Sequence, residues 1–291
     1  MGFLNAREIN TAFEEGRSWI STFRKVPAST ATISGQWYDY GYASGNPIPN
    51  YYAASPLVAA ELEADKGIIV PRMSGTSQQY LHRLSVMSNG ATAGTQPLIL
   101  LDYLLYYPFV DMDAAGEDQV MTNTETLSRY TDGVGVQMMV VAQSPTVGGG
   151  RFTITYTGAD DVQYTTGSLF CGAAQPSGAI VNATGATTGL NPFVPLNANV
   201  TGVKNVVSVN FSVANGGLCA VVLVRPLETT IALESTSVSG VGSAVEKEAL
   251  RLRGGIVEIK DGAFLSLIGQ GVAGSLASSP LVGTIETVWS A

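Results

Sequence analysis

From Gly67 to Trp289 the chain repeats one local pattern. A short segment of β-branched, aromatic and aliphatic residues is followed by a break of Gly, Pro, Asn, Asp or Ser. This constrains the fold more than any other feature, because segments so short and so often interrupted pair as strands rather than close as helices. Arg151-Phe-Thr-Ile-Thr-Tyr-Thr157 is the clearest of them, with Phe152, Ile154 and Tyr156 on one face. Asp160-Asp161 then marks a turn, and Val162-Gln-Tyr-Thr-Thr returns from it, which predicts a hairpin. Asp261-Gly262 is a second hairpin signal. Further strands are expected at 68–70, 80–87, 98–107, 136–143, 206–213, 217–224, 229–234, 250–253, 256–260, 264–268 and 284–289. The fold class that follows is all-β, a jelly-roll-like antiparallel β-sandwich spanning 66–291, with a sub-boundary expected in the Gly- and Asn-rich loop 172–200. No internal repeat points to a propeller or a solenoid.

The front of the chain follows other rules. Asn5 can cap a helix, with Glu8 three positions on as its capping-box partner. Ile9, Phe13, Gly16, Ile20 and Phe23 then recur at helical spacing, Trp19 widens the stripe, and Pro27 stops it. The spacing predicts a helix over residues 5–25, within an N-terminal helix or arm at 1–27. Such a helix either packs on its own domain or docks on a neighbouring subunit. Residues 28–65 form an extended aromatic segment holding Trp37, Tyr38, Tyr40, Tyr42, Tyr51 and Tyr52. Rings at that density pack across their own domain or bury themselves in a partner. One short helical turn is expected around Val58 and Leu62.

Charge excludes several classes. Only 13% of residues are charged and the net charge is −8. Direct nucleic-acid binding is disfavoured, since phosphate neutralisation needs clustered Lys and Arg. The apolar run 98–110 carries Asp102 and Pro108 and is short of the roughly twenty residues of a membrane helix. With no secretory leader read at Met1–Glu8, a soluble protein made in a reducing compartment is expected. Cys171 and Cys219 are expected to be free, Cys219 lying in an apolar run. The single histidine, His82, has no nucleophile motif near it, so no catalytic residues and no cofactor are expected. Asp111, Asp113 and Asp118 begin like a calcium loop but miss ligands at Ala115 and Thr122, leaving a weak cation candidate.

The stretches Leu104-Leu-Tyr-Tyr-Pro-Phe-Val-Asp-Met-Asp113 and Leu127-Ser-Arg-Tyr-Thr-Asp-Gly-Val-Gly-Val136 resemble a segment of head-associated β proteins of tailed bacteriophages. Low charge, abundant Gly, Ala, Thr and Ser, and strands following an ordered arm are similar to those virion proteins too. The resemblance implies a capsid cement or decoration protein, seated outside a shell of major capsid protein and trimeric with copies of itself. The interface residues expected on this reading are Phe3, Phe13, Trp19, Phe23, Trp37, Tyr38, Tyr40, Tyr42, Tyr51 and Tyr52. Tail, baseplate or fibre proteins share this texture. A carbohydrate-binding sandwich is the other alternative, with Trp37, Tyr38 and Tyr40 as its platform.

Overall fold

The computed structural model describes residues 3, 5–27, 35–88, 96–183, 191–232, 245–248, 256–271 and 280–291. Helix α1 (Ala6–Glu14) leads into β1 (Ser18–Val26), β2 (Trp37–Asp39), β3 (Ser44–Asn46), β4 (Ala60–Glu61), β5 (Gln79–Ser88) and β6 (Gln96–Asp111). Then follow β7 (Asp118–Val120), β8 (Gln137–Ala142), β9 (Gly150–Gly158), β10 (Gln163–Thr165), β11 (Leu169–Cys171) and β12 (Val203–Phe211). The last five are β13 (Leu218–Ala232), β14 (Val245–Glu248), β15 (Val257–Ile259), β16 (Phe264–Gln270) and β17 (Leu281–Trp289). They form three antiparallel sheets, so the all-β sandwich expected from the sequence is what the chain builds.

The sheet β2-β16-β6-β13-β8 lies at the centre, with β4 added to β6. Its spine is β6 and β13, of 16 and 15 residues. They pair from Gln96↔Ala232 to Leu218↔Asp111. The apolar run at 98–110 is explained by this position, because a strand covered on both faces has no solvent side to keep polar. Leu98 and Leu100 join Phe23, Leu81, Leu84 and Ile285 in a core shared with the sheet β14-β5-β17-β1-β3. Leu105, Tyr107 and Val110 join Phe152, Ile154 and Phe211 in a second core, shared with the sheet β10-β9-β12-β7. The pairs Leu223↔Leu105 and Val224↔Tyr103 skip Leu104, a bulge that places Leu104 and Leu105 in the same core. Leu101, Tyr103 and Tyr106 face the other way, under Trp37, Tyr52 and Leu62. One long sheet thus closes two sandwiches.

The expected helix over 5–25 is half right. Asn5 does cap α1, its Oδ1 accepting the Glu8 N–H at 3.1 Å. The helix ends at Glu14, and Gly16 turns the chain at φ 72°. Ser18–Val26 is a strand, paired with β17 along its length and with β3 at Arg24–Val26. Ser21, Phe23 and Lys25 alternate into the interior. β-Branched and aromatic residues suit a strand, and the waiting edge of β17 decides between two readings that the spacing alone does not separate. The short turn expected near Val58 and Leu62 falls at Ala64–Lys66 instead, while Val58 bridges to Thr122.

The hairpin at 151–166 forms as expected, with Tyr156 opposite Tyr164. The turn at Asp261-Gly262 also forms, Ala263 N–H donating to the Lys260 carbonyl at 3.1 Å. Its flanking strands do not pair with each other, however. β15 joins β5 in one sheet and β16 joins β6 in another, so the turn is a crossing between layers. The strand expected at 250–253, the end of the one at 229–234 and part of the boundary expected in 172–200 lie outside the described residues.

Cys171 and Cys219 are free and buried in the second core. Burial pushes the Cys171 thiol up to about 12 and raises that of Cys219 well above its ordinary range. Both stay protonated and unreactive near neutral pH. A thiol reagent at pH 8 should therefore find almost nothing in the native protein and both cysteines after unfolding without reductant. A native protein that reacts at once, or an unfolded one that shows no thiol, contradicts this burial.

Candidate functional site

The aromatic residues expected to meet a partner divide sharply. Phe23, Trp37, Tyr38, Tyr40 and Tyr52 are buried, each 5% exposed or less. They fill the interior because β1 belongs to the sheet packed on the central one, β2 is the central sheet's own edge strand, and the chain after β2 folds over it. The platform expected of Trp37, Tyr38 and Tyr40 is therefore internal. Phe13 stands edge-on to His82 at 4.6 Å, and Phe3 tilts against Tyr80 at 5.4 Å. Helix α1 thereby packs on its own sheet, with Ile9 and Ala12 against Val288. Trp19 and Tyr51 remain about half exposed, and Tyr42 lies between the two groups.

A buried polar network that sequence reasoning missed lies under these rings. Asp39 is fully buried. It accepts the Tyr103 hydroxyl at 2.6 Å, the Tyr52 hydroxyl and the Gly41 N–H at 2.8 Å. Burial raises its carboxyl above the usual range, and these donors and Lys25 oppose the rise. Lys25 Nζ donates to the Ala43 and Pro47 carbonyls at 3.1 and 2.7 Å. Burial lowers its pKa to about 8, against the pull of Asp39. The one hint in the sequence was a single carboxylate inside Trp37-Tyr-Asp-Tyr40.

Above this network opens a cleft of about 550 Å³. Tyr42, Tyr51 and Ser44 form one wall, and Pro145, Pro176 and Ser177 the other. The Tyr42 and Tyr51 rings meet edge to face at 4.9 Å. The Tyr42 hydroxyl donates to the Gln143 carbonyl at 2.9 Å. Gln143 Nε2 in turn donates to the Tyr51 and Tyr52 carbonyls at 3.1 and 3.2 Å. No charged side chain lines the cleft.

A second surface feature is the edge of β1. β3 continues the sheet only beside Arg24–Val26. Beside Ser18–Phe23 no described strand follows, and the chain at Ile69 meets this edge where the Ser21 hydroxyl donates to the Ile69 carbonyl. Trp19, Ile20 and Ile69 are 49%, 55% and 62% exposed.

The acidic loop spends its carboxylates on hydrogen bonds within itself and to two neighbouring segments. Asp111 Oδ1 accepts the Asp113 N–H at 2.9 Å, and Asp113 Oδ1 accepts the Gly216 N–H at 2.7 Å. Asp118 Oδ1 accepts from Asn210 at 2.8 Å. Among the described residues no three His, Cys, Asp or Glu side chains gather as a metal site. No described helix is long and apolar enough to cross a membrane. No family model, no curated protein and no solved structure matches the chain.

Proposed function

We propose that the chain is a non-catalytic structural protein of a tailed-phage particle, a cement-type protein that binds major capsid protein and copies of itself. The observation that supports this reading is the edge of β1. Proteins that stay monomeric guard strand edges with charge, proline or a covering loop. Here Trp19 and Ile20 stand exposed on a strand that no described strand pairs beside Ser18–Phe23, and Ile69, which the Ser21 hydroxyl holds at this edge, adds a third apolar residue. Such an edge suits addition of a strand from a partner, with backbone hydrogen bonds giving affinity and apolar side chains giving register. It is narrower than the aromatic surface expected from the sequence, because five of those ten rings, Phe23, Trp37, Tyr38, Tyr40 and Tyr52, are buried in the chain's own core.

The test mixes the purified chain with empty phage heads and follows co-sedimentation, with light scattering for the free oligomer. Saturable binding is expected, together with a trimer in solution. Ile20→Lys places a charge on the edge at a half-exposed position, so the fold is retained and binding should fall at least about tenfold. Failure of the wild-type chain to bind heads overturns the cement reading. Binding to purified tails alone would move the protein to the tail or fibre class.

A further inference from the structure

We propose that the cleft between Tyr42–Tyr51 and Pro145–Pro176 is a binding site for a neutral saccharide. Its volume, about 550 Å³, is in the range of ligand pockets, and it holds one or two sugar rings. The lining selects the chemistry. With no charged side chain on its walls, the cleft offers nothing to compensate a phosphate, a carboxylate or an ammonium group. What it offers is flat apolar area from tyrosine and proline, together with hydroxyls. Ser44 and Tyr51 are exposed, and neither side-chain hydroxyl has a hydrogen-bond partner among the described residues. A hydroxyl both donates and accepts, which matches the hydroxyls of a sugar. The aliphatic face of a pyranose ring then lies against the tyrosine rings.

The walls are fixed before any ligand arrives. Lys25 holds the Ala43–Pro47 turn from below through two carbonyls. Gln143 holds Tyr51 and Tyr52 through two more, and its own Oε1 accepts the Phe109 N–H at 2.6 Å. On the opposite wall the Gln175 N–H donates to Thr146 Oγ1 at 2.8 Å, and that hydroxyl donates to the Gly172 carbonyl at 3.0 Å. A preformed cleft loses little to ordering on binding, so even a few stacking contacts give measurable affinity.

The experiment titrates the full chain with maltohexaose, cellohexaose, laminarihexaose and chitohexaose, using calorimetry and saturation-transfer NMR. Decaproline serves as a rival probe, because a tyrosine-lined groove also suits a polyproline helix. At least one hexasaccharide is expected to bind saturably at one site per chain. Tyr51→Ala should weaken it at least about tenfold, and Ser44→Ala by a few-fold, while both variants unfold at the wild-type temperature. Val120→Ala, on a strand of another sheet, should bind like wild type. Absence of saturable binding to all four sugars, unchanged affinity in Tyr51→Ala, or binding of decaproline alone overturns the proposal.

Discussion

Arg129→Met is expected to destabilise the protein by about 3–5 kcal/mol at pH 7.5 and by much less at pH 5. Asp102 sits in the middle of β6, fully buried, where the two sandwich cores meet on one face of the central sheet. Arg129 reaches it from the loop before β8. Its Nε and one terminal nitrogen donate to the two carboxylate oxygens, each at 3.1 Å, and that nitrogen also donates to the Tyr103 carbonyl at 2.9 Å. The Phe264 N–H adds a third bond to Asp102 at 3.1 Å. Burial pushes the Asp102 carboxyl up to about 6, although Arg129 and the Phe264 N–H both pull it down. Removing the guanidinium leaves a buried carboxylate with one backbone donor.

The pH dependence follows from the sign of that shift. A carboxyl whose folded pKa lies above its unfolded value holds more protons in the native state. Its favourable contribution is present at low pH and is lost as pH rises through about 6. Without Arg129 the folded pKa rises further, so at pH 5 the carboxyl is neutral and the missing partner matters less. Asp102→Ala is the control, because it strands the Arg129 side chain in the core without its carboxylate partner, and the loss of stability should persist at pH 5. Denaturant melts of wild type and both variants at the two pH values decide the matter. An equal loss in Arg129→Met at pH 7.5 and pH 5 would show that Asp102 does not carry the buried charge.

Particular residues show what the sequence reveals and what it hides. β9 was legible because one face meets the core and the other meets solvent, so Phe152, Ile154 and Tyr156 alternate with polar residues. β6 was legible as a strand from its apolar run, but not as the shared wall of two cores, since that depends on pairing with β13 more than a hundred residues away. β1 was hidden because Phe23 fits a helical stripe and an alternating strand equally well. Ile20, on the supposed apolar stripe, is 55% exposed, while Lys25, the last residue of the expected helix, is buried. Asp39 and Asp102 were two among 23 acidic residues, and Tyr52, Tyr103 and Arg129 become their partners only when the sheets assemble. The Tyr42–Tyr51 cleft was legible as composition and hidden as geometry. The rings of the aromatic segment were expected to pack on their own domain or in a partner, but which of them would reach the surface was decided by the turn after β2.

That turn depends on Asp39, and Asp39→Ala should cost about 3 kcal/mol or more at pH 7. Three donors converge on the carboxylate: the Tyr52 and Tyr103 hydroxyls and the Gly41 N–H. The Tyr52 hydroxyl and the Gly41 N–H would be left buried without an acceptor and the Tyr103 hydroxyl with Ser266 alone, at about 1–3 kcal/mol for each bond lost before water or rearrangement relieves any of them. Tyr52→Phe and Tyr103→Phe each remove one donor and leave the acceptor with others, so each should cost roughly 1.5–3 kcal/mol, and the double variant should depart from the sum because both bonds share one carboxylate. Lys25 supplies a further check. Its folded pKa, about 8, lies below the ordinary lysine value, so its contribution to stability grows as pH rises through 8 toward 10.5 and is lost as pH falls. Asp39 is the charge that holds it up. In Asp39→Ala, Lys25 should therefore release its proton more easily, and the loss of stability should be smaller at pH 9 than at pH 7. Urea denaturation of the wild type and the four variants at both pH values reads all of these effects. An Asp39→Ala protein no less stable than Tyr52→Phe, with no change between pH 7 and pH 9, would mean that the carboxylate organises neither the tyrosines nor the lysine.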